Sequence, residues 1–150
     1  ARHLDHAAEH DEHAAEHYTA AQALEEFTHD RCRSFDPDER ARCPLLGRVF
    51  AVDDFAGGVR LRLVPGVSVS STLDHMHCHY AFATQQHFVG NSHCPFYLPQ
   101  LKIAVGADGR SIVVHAESPD VAAAFRSRAK ASLAQQRQTT PPAAAETPTD

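Results

Sequence analysis

One stretch of the chain alternates apolar and basic residues with a period of two, and three others place apolar residues three or four apart, so both strands and helices are written into the pattern. Val59, Leu61 and Leu63 alternate with Arg60 and Arg62, residues 48–54 have strand composition, and Ala56, Gly57 and Gly58 supply a turn between them. A second hairpin is predicted from strands at residues 100–105 and 111–115 around the turn at 106–109. After the first hairpin, Ser70 and Ser71 followed by Asp74 resemble a helix start, and no Gly or Pro intervenes before Gly90, which predicts a helix over about 72–87. After the second, Ser118 and Pro119 open a helix to about residue 134, with Val121, Ala124, Phe125, Arg128 and Ala131 or Ser132 on its inner face.

The first thirty residues differ in character. Residues 3–33 lack Gly and Pro and are rich in Ala, Glu, Gln and His, which predicts one long helix. Ser34 to Asp38 form a turn cluster, Pro37 can open a short helical turn through Arg42, and residues 87–99 read as an irregular loop. The predicted class is therefore α+β: a long N-terminal helix, then two ββα units forming a four-stranded antiparallel sheet with helices on one face. By this division residues 1–33 are a His-rich helical arm, 34–136 the core domain and 137–150 a tail rich in Pro, Ala and Thr, too poor in large apolar residues to pack.

Histidine is the compositional anomaly, with twelve in 150 residues. The formal net charge of −5 offers no Lys/Arg cluster for nucleic acid or an anionic membrane, and no apolar run reaches the eighteen or so residues of a membrane span. Four cysteines without a C-x-x-C pair exclude a zinc ribbon and a thioredoxin motif and permit three disulfide pairings. The expected pairs are Cys32 with Cys43 and Cys78 with Cys94, each joining a helix to the loop after it. Together with a first residue, Ala1, that fits removal of a leader, they predict a periplasmic or secreted protein.

Candidate chemistry concentrates at residues 73–80, where His75, Met76, His77, Cys78 and His79 are consecutive. On a helix, His75, Cys78, His79 and Phe82 share one stripe, while Leu73, Met76, Tyr80, Ala83 and His87 share the other. His75 and His79 are spaced to reach one ion, and the following loop returns His93 and Cys94 toward them. Imidazole and thiolate suit copper or zinc rather than calcium or magnesium, and a Cys78–Cys94 disulfide would leave the imidazoles alone as ligands.

The arm carries a second set. His3, His6, His10, His13 and His17 step by three and four along one stripe, and His6/His10 and His13/His17 close two copies of H-A-A-E-H. Each pair is a weaker chelate for the same metals. The match to the inverted zincin pattern carries little weight in so repetitive a helix. The alternative is a disulfide-stapled binding or scaffold module whose arm pairs with a partner helix or with itself, and whose histidines separate the helices when protonated. A catalytic Cys–His pair is the least favoured reading, because no oxyanion or orienting motif is visible.

Overall fold

The computed structural model describes residues 2–139, with side chains described for Ala7 and for 9–138. Eight elements follow in order: α1 (Arg2–Arg31), α2 (Pro37–Ala41), β1 (Val49–Phe55), β2 (Gly58–Leu63), α3 (Val69–Gln85), β3 (Leu101–Val105), β4 (Ser111–Ala116) and α4 (Pro119–Thr139). The strands form one antiparallel sheet in the order β1-β2-β4-β3, so the expected α+β class and both hairpins are present. The β2–β4 pairing joins the two ββα units, matching Leu61 with Ile112 and Val59 with Val114. Gly58 sits where this ladder closes against β4, and a Cβ there would run into the Val114 carbonyl.

Period-two alternation decides which sheet face is covered. Val59, Leu61, Ile103, Ile112 and Val114 point inward and are buried, whereas Arg60, Arg62 and Lys102 point to water. Helix α3 lies over β3 and β4, and α4 over β1, β2 and β4, so the helices share one face. Phe125 of α4 meets Phe96 edge to face, with centroids 5.4 Å apart, at the centre of the core. Burying each large side chain of this cluster contributes roughly 1.5–3 kcal/mol.

Helix α3 is covered on both of its stripes. Met76 and Ala83 pack on the sheet, while His75, Cys78 and His79 are buried on the other side, beneath α1, α2 and the loop before β3. The edge strand β3 is tied to α3 by side chains: the Leu101 N–H donates to Tyr80 Oη at 3.0 Å, and the His77 Nε2–H donates to the Ile103 carbonyl at 3.0 Å. Among the described residues of α1, its C-terminal end joins the core through Thr28, followed by Cys32 just after the helix; residues 9–23 are exposed throughout. The expected helix end at residue 134 is too early, since α4 continues to Thr139, with Arg137 donating to the Phe50 carbonyl at 3.2 Å. Residues 140–150, most of the expected tail, lie outside the described residues.

The expected disulfides do not form. Cys32 is bonded to Cys78 instead, with Cα atoms 4.8 Å apart, and Cys43 and Cys94 are free thiols. The end of α1 lies against the middle of α3, which places Cys32 over Cys78, while α2 leads the chain away and delivers Cys43 to the loop that carries Cys94.

Candidate functional site

Helix α2 is only five residues long, and its last carbonyls have few partners within the helix. Two histidines of α3 supply them. His75 Nε2 lies 2.7 Å from the Glu39 carbonyl and His79 Nδ1 lies 2.9 Å from the Arg40 carbonyl, each ring nitrogen donating to the oxygen. Spacing by four places both imidazoles on one side of α3, so the pattern that suggests chelation also serves to cap a neighbouring helix.

These bonds fix the remaining nitrogens. His75 keeps its Nδ1 buried without a hydrogen-bond partner, and its ring stacks on Phe35 at 5.2 Å between centroids. His79 is fully buried, and its Nε2 lone pair faces Cys94 Sγ at 3.1 Å. Desolvation holds both imidazoles below the ordinary histidine pKa, with their hydrogen bonds to the α2 carbonyls acting in the opposite direction.

Cys94 Sγ is 3.9 Å from Cys43 Sγ, so two free sulfurs and one imidazole stand in a row with Cys94 in the middle. The contact between the two thiols holds Cys43 below its ordinary pKa, against burial; the same contact, followed by burial, pushes Cys94 up. Each cysteine precedes a buried proline, Pro44 or Pro95, which restricts the cysteine backbone to extended conformations. The Cys94 loop is anchored further by Asn91 Oδ1, which accepts from the Cys94 N–H at 3.2 Å, and by Arg128, which donates to the Cys94 and Tyr97 carbonyls, both at 3.2 Å. A cavity of about 380 Å³ opens onto this pair, with Cys43, Leu46, Asn91, His93, Cys94 and Ser132 in its wall.

Of the residues singled out by sequence, His79 and Cys94 are brought together, His75 is buried beside them but bonded to α2, and His93 is exposed at the cavity rim. Cys78 is taken out of the ligand set by its disulfide. On the arm, His10, His13 and His17 are exposed, with His13 Nδ1 3.6 Å from the Glu16 carboxylate, and the side chain of His6 lies outside the described residues. The expected disulfide of Cys43 does not form and Cys43 stands at the site instead; both it and Cys94 precede a proline, a local feature that does not itself specify which cysteines pair. Among the described residues no group of three or more His, Cys, Asp or Glu side chains surrounds a common point as a metal site would, and none of the helices is long and apolar enough to cross a membrane. Comparison with family models, curated proteins and solved structures finds no match.

Proposed function

We propose that the chain is an exported protein that binds copper or zinc through Cys43 and Cys94, with His79 as the adjoining imidazole. The observation that carries this reading is the 3.9 Å separation of the two free sulfurs. Two thiolates on one tetrahedral zinc, each about 2.3 Å from the ion, stand about 3.8 Å apart. The His79 ring adds a matching feature: its Nδ1 is tied to a backbone carbonyl, which leaves Nε2 as the free nitrogen, the arrangement that orients metal-bound histidines. Cys43 and Cys94 ionised side by side repel one another, and a soft cation removes that repulsion. Side-chain rotation of the exposed His93, or water in the cavity, would complete the coordination.

The disulfide between Cys32 and Cys78 is consistent with an oxidising compartment, which supports a periplasmic or secreted location. Exposed His10, His13 and His17, with His6, would serve as weaker accessory ligands on the arm. A second reading, pairing of the arm with a partner helix or a second copy, is favoured by the exposure of every residue from 9 to 23. Isolated helices of this kind are marginal in water, and protonated histidines would open such a pairing. Concentration-dependent mass at neutral pH that is insensitive to chelator would support it.

Competition of the reduced protein against a chromogenic chelator, with zinc and then with Cu(I) under anaerobic conditions, tests the metal reading. One tight equivalent is expected in the parent and none in the Cys43→Ala/Cys94→Ala variant, while His75→Ala retains it. Tight binding that survives loss of both thiols would overturn the assignment.

A further inference from the structure

The two free cysteines differ in how solvent reaches them. Both line the cavity, but Cys43 is partly exposed there, whereas Cys94 is only 3% exposed and its sulfur lies against His79. We propose that Cys43 and Cys94 form an attacking and resolving pair that reduces small disulfides of the cysteinyl-peptide class, of which oxidised glutathione is the working example. This activity needs no metal and goes beyond the metal-binding reading.

In the first step the Cys43 sulfur, having lost its proton to water, attacks one sulfur of R–S–S–R. A bond forms between Cys43 Sγ and that sulfur, the substrate's S–S bond breaks, and R–S⁻ leaves and takes a proton from water. In the second step Cys94 gives its proton to His79 Nε2, 3.1 Å away, and its sulfur attacks Cys43 Sγ. The Cys43–Cys94 bond forms, and the second R–S⁻ leaves with the proton held by His79. The protein loses two electrons and two protons, and the substrate becomes two R–SH. Starting from 3.9 Å, the two sulfurs close to bonding distance by moving about 2 Å in total.

The cavity favours a small substrate. Its volume of about 380 Å³ and the neutral polar side chains of Asn91 and Ser132 suit a short peptide's amides better than the surface of a folded protein. The neighbouring disulfide is a poor competitor for the same chemistry, because Cys32 and Cys78 are both fully buried.

The test uses the full chain with the Cys32–Cys78 disulfide intact and Cys43 and Cys94 reduced, incubated with oxidised glutathione and excess chelator and followed by mass spectrometry with peptide mapping. The parent is expected to gain a Cys43–Cys94 disulfide and release two glutathione thiols per chain. Cys94→Ala is expected to stop with one glutathione on Cys43, and Cys43→Ala to stay unmodified. His79→Ala is expected to lower the resolving rate at least tenfold, read as accumulation of the Cys43–glutathione mixed disulfide in a chain that still carries Cys94. A parent that keeps both thiols, or a Cys43→Ala variant that acquires glutathione as fast as Cys94→Ala, would overturn the proposal. The parent result is independent of how any variant folds. Because chelator is present throughout, failure here leaves the metal titration standing, and failure of the titration leaves this exchange standing.

Discussion

Replacing Cys32 and Cys78 together with alanine is expected to remove a large share of the protein's stability. The bond spans 46 positions and ties the end of α1 to the middle of α3. In the chain-entropy description a loop of that length restricts the unfolded chain by about 13 cal/mol/K, or about 4 kcal/mol at 25 °C, whereas the 11-position loop of a Cys32–Cys43 bond would contribute about 3 kcal/mol. Native strain and residual structure in the unfolded chain reduce such values, so the expected loss is about 2–4 kcal/mol. Urea unfolding of the oxidised protein followed by circular dichroism measures it: with a slope near 2 kcal/mol/M the midpoint falls by about 1–2 M. Peptide mapping of the unreduced parent should recover Cys32 joined to Cys78. A loss under about 1 kcal/mol, or a map joining Cys32 to Cys43, would refute the reasoning.

Deleting residues 1–20 should leave the melting temperature of the remaining chain almost unchanged by calorimetry, because residues 9–20 are all exposed and none belongs to the buried core. Arg128→Ala should cost about 1.5–3 kcal/mol in urea unfolding and speed alkylation of Cys94, since the guanidinium bonds to the Cys94 and Tyr97 carbonyls hold that loop. Lowering the pH from 7.5 to 5 should move the urea midpoint down: His75 and His79 have depressed pKa values in the folded state, so the unfolded chain binds more protons as pH falls below about 6.5. The decline levels off once pH passes below the folded values, and a midpoint that rises on acidification would contradict it.

The sheet was legible because its signals are local. Val59 to Leu63 alternate cleanly, and glycine-containing turns sit between the strands of each pair, so pairing and inward face follow from period and turn alone. Helix ends were less legible where several caps compete. Ser68, not Ser70 or Ser71, starts α3, its Oγ accepting from the Ser71 N–H at 3.2 Å, and the chain reverses after α3 through positive φ at His87 and Phe88.

The site was legible in its ingredients and not in its partners. His79 and Cys94 stood out as chemistry-bearing residues, but the stripe of α3 that carries His75, Cys78 and His79 looks the same whether it faces an ion or the end of a short helix. Only α2, whose carbonyls must be satisfied, separates these roles. Cysteine pairing depends on the path of α1 and α2 across α3, a long-range property that none of the four cysteines encodes in its own neighbourhood.

Cobalt substitution interrogates the Cys43–Cys94 pair most directly, because Co(II) takes zinc's tetrahedral site and reports thiolate ligands by their charge-transfer absorption. Anaerobic titration of the reduced protein should develop thiolate-to-cobalt bands in the near ultraviolet that saturate at one equivalent, bleach on addition of zinc, and vanish in Cys43→Ala/Cys94→Ala. A parent whose cobalt spectrum carries only imidazole and water ligation, with Cys43 and Cys94 still freely alkylated, would contradict the assignment of these two sulfurs as the metal-binding centre.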